Sequence, residues 1–107
     1  MNYNPDAWQI LKISTEDEPI YKVFGIWYGG YVQSESWRLN SGITAIRESG
    51  KLLEFEGYSG STYVVPNHEH CYRTTTYSGS VLANIIAKSS HEIQVLPFDT
   101  NWKELLI

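Results

Sequence analysis

Apolar and polar residues alternate with a period of two through most of the first two thirds of the chain, and this period predicts β-strands. The segment 7–13 is one such strand, with Trp8 and Ile10 on one face. The segment 20–28 carries apolar residues on both faces. A strand of that kind is covered above and below, so we expect it to be central in its sheet.

Later segments repeat the strand pattern with turn residues between them. Ser49 and Gly50 suit a two-residue hairpin turn. Pro66 would end the strand that precedes it, because proline cannot donate to a ladder. The further predicted strands are 43–48, 51–56, 62–65 and 91–96, with a short return strand or loop at 31–35.

The period changes beyond a polar loop at 67–76. Between residues 81 and 86 the apolar side chains recur at helical spacing and form one stripe. This pattern predicts a helix near 79–89. Ser78 or Ser80 is its predicted N-cap, because a serine oxygen accepts a bond from an otherwise unpaired N–H of the first turn.

A short C-terminal helix is predicted near 100–106, after a cap at Asp99 or Thr100. Sequential strands joined by tight corners favour antiparallel pairing, with the helices laid on one face. The sequence therefore predicts an α+β fold: one domain over residues 1–107, with a mainly antiparallel sheet of about five or six strands. A chain of 107 residues has the usual size of one domain.

Composition and charge exclude several classes of function. The net charge of −4 argues against general nucleic-acid binding, which requires a basic face. No apolar run approaches the roughly 20 residues that span a bilayer, and the N-terminus lacks the pattern of a signal peptide. Cys71 is the single cysteine, so no disulfide forms within the chain. We expect a cytoplasmic protein that does not contact membranes.

The phrase Tyr-Ser-Gly-Ser occurs twice, at 58–61 and at 77–80. Glycine lets the backbone approach an anion, and a helix N-terminus presents unpaired N–H groups. The same residues also make ordinary turns and caps. Both interpretations stay open: a cradle for a phosphate-bearing ligand, or two structural corners. The candidate ligand residues are Tyr58, Ser59, Ser61, Tyr77 and Ser78, with Arg38, Arg47 or Arg73 nearby.

Other reactive side chains form weaker patterns. His68, His70 and Cys71 are a minor alternative as zinc ligands, but a structural zinc site needs four convergent ligands. Glu54 and Glu56 alternate with buried residues, which explains them as the solvated face of a strand. A small hydrolase or nuclease built on the histidines and these two carboxylates is a further alternative. No motif has a mechanism attached, so we expect a protein that is not an enzyme and uses no cofactor.

An aromatic and glycine-rich segment at 27–31 is followed by Trp37 and Arg38. Exposed tryptophan, tyrosine and arginine anchor many protein interfaces. Large rings in a small sheet also serve as core. Tyr28, Tyr31 and Arg38 are the predicted surface members.

Much of residues 5–65 resembles small uncharacterised proteins encoded by tailed bacteriophages. The resemblance implies an accessory protein that acts inside an infected bacterium, often against a host system, and it brings no catalytic residues. It rests on Trp8, Tyr21-Lys22-Val23-Phe24, Trp27-Tyr28-Gly29-Gly30-Tyr31, Ser36-Trp37-Arg38-Leu39-Asn40-Ser41-Gly42-Ile43-Thr44, Gly57-Tyr58-Ser59-Gly60-Ser61 and Tyr63.

Two hypotheses of function follow. The leading one is a non-enzymatic phage-type protein that binds a host protein, such as a defence factor, in the host cytoplasm and inhibits or redirects it. The alternative is a binder of a small ligand, for example a sponge for a nucleotide signal, whose site could lie across a homo-oligomer interface.

Overall fold

The computed structural model describes residues 1–28 and 35–106. The predicted return strand at 31–35 lies almost wholly outside these residues. The strands are β1 (Asn2–Tyr3), β2 (Ala7–Ile13), β3 (Ile20–Trp27), β4 (Ser36–Leu39), β5 (Ile43–Ser49), β6 (Leu52–Gly57), β7 (Thr62–Pro66) and β8 (Ile93–Val95). The helices are α1 (Thr76–Lys88) and two 3₁₀ turns, Glu69–Cys71 and Trp102–Glu104.

The predicted α+β class is confirmed, but the described strands form two four-stranded sheets where a single sheet of about five or six strands was predicted. Sheet A has the order β1-β7-β6-β5, and sheet B has the order β4-β3-β2-β8. Neighbouring strands run antiparallel, apart from the short parallel pair of β1 with β7. β3 lies inside its sheet, as its two apolar faces predicted.

Sheet B lies between sheet A and helix α1. On one face of sheet B, residues of β2 and β3 such as Trp8 and Val23 pack against Phe55 of sheet A. On the other face, Leu11 and Phe24 pack with residues of α1, including Leu82. Two apolar faces need two covers, and the sheet and the helix supply them.

Trp8 connects the two sheets at the centre of the molecule. Its side chain is fully buried, and its indole Nε1–H donates to the carbonyl oxygen of Pro66 at 2.9 Å. Its ring lies 5.7 Å from that of Phe55 and 5.6 Å from that of Trp102. One side chain of β2 thus packs against β6 and also hydrogen-bonds the end of β7.

The start of helix α1 corrects the predicted cap. The helix begins at residue 76, and Thr75 is its N-cap. The Thr75 hydroxyl accepts from the N–H of Ser78, and the Ser78 hydroxyl accepts from the N–H of Thr75. Ser78 is therefore the third residue of a capping box. The Ser80 hydroxyl instead bonds back to the carbonyl of Thr76.

Two further boundaries differ from the predictions by local geometry. Ser49 pairs with Leu52, so the hairpin turn is made by Gly50 and Lys51, with Gly50 at a φ of 61°. The C-terminal helix is only a 3₁₀ turn that follows Asn101. The Thr100 hydroxyl donates to the carbonyl of Pro97 and so belongs to the preceding turn.

Among the described residues no helix is both long and apolar enough to cross a membrane.

Tyr72 fixes the loop before α1 to sheet B. Its hydroxyl donates to the carbonyl of Leu96 and accepts from the N–H of Ile10. Burial raises the pKa of the Tyr72 hydroxyl to about 12, although the bond from Ile10 acts in the opposite direction. The neutral phenol is therefore the form that the folded protein holds.

Replacing Trp8 by Phe is expected to lower the free energy of unfolding by about 2–3 kcal/mol, because it leaves a cavity and removes the hydrogen bond to the carbonyl of Pro66. Urea denaturation measures the change. The matched control is Trp37→Phe at an indole that is 40% exposed, where we expect less than about 1 kcal/mol. Equal losses at the two positions would contradict the central role of Trp8.

The raised pKa of Tyr72 predicts a loss of stability at alkaline pH. The folded protein keeps this proton up to about pH 12, whereas the unfolded chain releases it near 10, so the free energy of unfolding falls between these values. Urea midpoints measured across this range should fall less steeply for Tyr72→Phe than for the wild type. The variant will be weaker at neutral pH, and an unchanged alkaline slope would refute the assignment.

Candidate anion-binding site

A cleft of about 370 Å³ opens where the end of β4 meets the corner between β6 and β7. The chain crosses from sheet B to sheet A at residues 40–42, and this crossing forms part of the wall. Most of the lining residues are polar or cationic, and the others contribute tyrosine rings or aliphatic surface. They are Tyr3, Lys22, Arg38, Leu39, Asn40, Ser41, Gly57, Ser59, Ser61 and Tyr63.

Asn40 is held by two hydrogen bonds to one residue of β3. Its backbone N–H donates to the carbonyl of Val23 at 3.0 Å, and its side-chain Oδ1 accepts from the N–H of Val23 at 2.8 Å. A backbone N–H can only donate, so the amide oxygen must face Val23 and the amide nitrogen must face away. The orientation of the amide is therefore fixed by the strand beside it.

The amide nitrogen of Asn40 has no hydrogen-bond partner among the described residues, although the residue is only 6% exposed. Buried amide groups are nearly always paired, because an unpaired one costs about 1–3 kcal/mol. Asn40 is one of the residues that line the cleft, and its unpaired nitrogen lies close to Gly57, another lining residue. It is the strongest sign that the cleft receives an acceptor group.

Gly57 keeps the space beside this amide open. A Cβ atom at position 57 would lie 3.3 Å from Nδ2 of Asn40 and 3.1 Å from Oγ of Ser41. Any larger residue would therefore crowd both polar groups. The glycine matches a site whose backbone comes close to a ligand.

The first Tyr-Ser-Gly-Ser segment forms the corner opposite Asn40. The N–H of Gly60 donates to the carbonyl of Gly57 at 3.0 Å, and Gly60 has a φ of 86°, which favours glycine. The N–H of Ser59 donates to Oγ of Ser41 at 3.1 Å, and this bond ties the corner to the crossing segment. Ser59 and Ser61 both line the cleft.

The charge in the cleft is positive. Arg38 and Lys22 are among the lining residues, and none of the described residues in the lining is a carboxylate. Within the described chain, the ion pairs involve Arg47 with Glu54 and Glu56, and Lys103 with Glu48, so Arg38 has no carboxylate partner there. In a protein of net charge −4, this cationic cleft is a local exception.

Arg38 is held in place by an aromatic ring. Its guanidinium carbon lies 4.7 Å from the centroid of the Tyr3 ring, and its Nη1 donates to the Tyr3 hydroxyl at 3.2 Å. The Tyr3 ring is 5.1 Å from that of Tyr63. Burial raises the pKa of the Tyr63 hydroxyl, although the nearby Arg38 opposes this effect, so the phenol stays neutral.

Residues that carry hydroxyl, amide and guanidinium donors thus line one small cleft. Such donors bind an oxyanion through charge-assisted hydrogen bonds. Their chemistry is suited to binding an anion.

The remaining predicted residues lie elsewhere. The Tyr58 side chain is 75% exposed and packs beside Gly42, lining a separate depression with Pro19 and Ile20. Only the serines of its segment reach the cleft. Ser78 is buried in the cap of α1, and Tyr77, which is 51% exposed, lies in the first turn of α1. The two repeated segments do not converge on one site.

Tyr28 and Arg73 form a pair of their own. The Arg73 guanidinium lies 5.7 Å from the centroid of the Tyr28 ring, and its Nε donates to the Tyr28 hydroxyl at 3.3 Å. Tyr28 packs with the cluster that faces α1, so this pair is separate from Arg38. The predicted surface residue Tyr31 lies outside the described residues.

The alternative metal ligands form no recognisable centre. The rings of His68 and His70 are stacked 5.4 Å apart, and Cys71 packs at the edge of the core. The described part of the chain contains no group of three or more histidine, cysteine, aspartate or glutamate residues that could hold a metal ion. Glu54 and Glu56 are ion-paired with Arg47.

Sequence reasoning missed Asn40, Ser41, Gly57 and Tyr3 as members of the cleft. Asn40, Ser41 and Gly57 belong only to the stretches that carry the resemblance, and no chemical role was predicted for them. Their spacing carries no signal, since the cleft arises only when the two sheets stack. In comparisons with known proteins, the chain matches no family model, no curated protein and no solved structure.

Replacing Asn40 by Ala is expected to destabilise the ligand-free protein by about 1–3 kcal/mol, because the N–H of Val23 loses its acceptor. The control is Ser41→Ala, which removes a more exposed hydroxyl and should cost less than about 1 kcal/mol. Chemical denaturation of both variants measures the difference. A neutral Asn40→Ala would show that the bond to Val23 stabilises the folded protein no more than the unpaired amide nitrogen destabilises it.

Proposed function

We propose that this protein is a non-enzymatic binding domain whose cleft takes the phosphate or a similar oxyanion of a small ligand. The observation that carries the proposal is the buried, unpartnered Nδ2 of Asn40. An anionic oxygen placed there would satisfy this donor and recover the free energy that its burial costs.

The number of donors favours phosphate over carboxylate. The side chains of Asn40, Ser41, Ser59, Ser61 and Arg38 all line the cleft. A carboxylate offers two oxygens, whereas a terminal phosphate offers three and a charge near −2. Serine hydroxyls and arginine are common phosphate partners, and Arg38 can donate two N–H groups in one plane.

The proposed cellular setting comes from the resemblance to phage proteins. Most cleft residues, including Lys22, Arg38, Asn40, Gly57 and Ser59, belong to the stretches that carry this resemblance. We propose on that basis that the protein acts in the cytoplasm of an infected bacterium. Withholding a phosphorylated small molecule from a host factor is an activity that needs no catalysis.

Direct binding of a host protein is a second proposal. Exposed rings at Trp37, Tyr58 and Tyr77 favour it, since aromatic residues anchor interfaces. Trp37 stacks on Phe24, which packs with α1, and Tyr77 belongs to α1, whereas Tyr58 lies at the β6–β7 corner. Affinity capture with single Trp37→Ala, Tyr58→Ala and Tyr77→Ala variants would identify the ring, and full retention by all three would count against this role.

Phosphate or sulfate is expected to raise the melting temperature above that in chloride at equal ionic strength. At ten times the Kd, a ligand that binds only the folded state adds about 1.4 kcal/mol, or several degrees for a domain of this size. Differential scanning fluorimetry measures the shift, and calorimetric titration gives the Kd.

Two variants locate the effect in the cleft. Asn40→Asp keeps the oxygen that accepts from Val23 but replaces the free donor with a negative oxygen, and Gly57→Ala fills the space beside it. Both should abolish the anion-dependent rise. Asn101→Asp makes the same charge change at an exposed position outside the cleft and should keep it. The same rise in chloride, or its survival in Asn40→Asp, would refute the proposal.

A further inference from the structure

A second cleft of about 460 Å³ adjoins the Asn40 cleft and shares two of its residues, Tyr3 and Arg38. Its other walls include Trp27, Asn2 and Asn4. We infer that the ligand is a mononucleotide, with its phosphate beside Asn40 and its base in this second cleft. The inference rests on the proposed function and adds the identity of the group attached to the phosphate.

Trp27 supplies an aromatic wall in a fixed position. Its indole lies across the strand at Gly25, where a Cβ atom would come within 3.3 Å of Cη2. The Tyr3 ring meets it at 6.4 Å and 74°. The indole is half-buried, so part of it still borders the cleft. A rigid, partly exposed indole is the kind of surface on which nucleic-acid bases stack.

The polar groups of the second cleft suit the edges of a base. Asn2 and Asn4 are exposed and carry amides that both donate and accept. Side-chain amides pair with base edges for this reason. A bare inorganic anion would not need these amides, because its proposed site is in the first cleft.

Arg38 joins the two clefts. Its guanidinium is held against the Tyr3 ring, and both residues line both clefts. An arginine there can donate to a phosphate on one side while its planar face borders the sugar or base on the other. Each volume lies within the roughly 300–1,000 Å³ that is typical of small-molecule sites.

A mononucleotide fits better than a nucleic-acid strand. The protein is acidic overall, with a net charge of −4, so it would repel the row of phosphates along a nucleic-acid strand. Among the described residues, the positively charged ones that line the clefts are Lys22, in the first cleft, and Arg38, which lines both. A short ligand with a single phosphate matches this localised charge.

Calorimetric titrations with the four ribonucleoside 5′-monophosphates, the matching nucleosides, inorganic phosphate and a 5′-phosphorylated oligonucleotide test the inference. At least one monophosphate should bind roughly 5- to 150-fold tighter than phosphate, the gain that stacking of one base provides. The nucleoside should bind more weakly than its monophosphate. In ¹H–¹⁵N spectra, that monophosphate should shift the indole N–H of Trp27, and phosphate should not.

Trp27→Leu and Asn4→Ala should each remove part of this gain while leaving the affinity for inorganic phosphate unchanged. Asn4→Ala is at an exposed site, so it keeps the test valid if the tryptophan variant folds poorly. Tyr58 is an exposed aromatic residue outside both clefts, so Tyr58→Leu is the matched control and should bind these ligands as the wild type does.

The outcomes separate the two proposals. If phosphate binds and no monophosphate binds more tightly, the nucleotide inference fails and the anion site stands. If the oligonucleotide binds more tightly than every mononucleotide, the small-ligand assignment is wrong. If neither phosphate nor any nucleotide binds, both proposals fail.

Discussion

The constraint on which the structure depends is the two-sided apolar character of β2 and β3. Side chains on successive residues of a strand point to opposite faces, and in these two strands both sets are apolar. Sheet B therefore has no face for solvent and must be covered twice. Sheet A covers one face and α1 the other, and Trp8 reinforces the first contact with a hydrogen bond to Pro66.

The cleft is a consequence of this stacking. The chain leaves sheet B after β4 and enters sheet A at β5, so residues 40–42 must cross from one layer to the other at the open edge. Apolar packing ends at this edge, and the polar groups of the crossing segment meet the β6–β7 corner. Asn40 continues the hydrogen bonding with β3 at Val23 beyond the last residue of β4. Its amide nitrogen lies close to Gly57 at the end of β6.

The sequence predicted those parts of the fold that depend on local periodicity. The faces of β2 and β3, the central place of β3, and the alternation of Leu53 and Phe55 with exposed neighbours all follow from a period of two. The start of α1 was missed because Thr75, Ser78 and Ser80 all have oxygens that can cap, and only backbone geometry selects Thr75. The division into two sheets also depends on long-range stacking, which periodicity does not encode.

Part of the candidate site was predictable from the chemistry of its side chains, and the rest depends on burial in the folded protein. Arg38, Ser59 and Ser61 were recognised by their chemistry, but the same chemistry also drew attention to Tyr58 and Tyr77, which point elsewhere. Asn40 was not recognised, because its significance is a buried donor without a partner, and burial is a property of the assembled layers. A structural role explains the amide oxygen, which pairs with Val23; it does not explain the nitrogen. Any amide that offers the oxygen also carries the nitrogen, so the physical basis for proposing a ligand is the burial of that nitrogen without a partner.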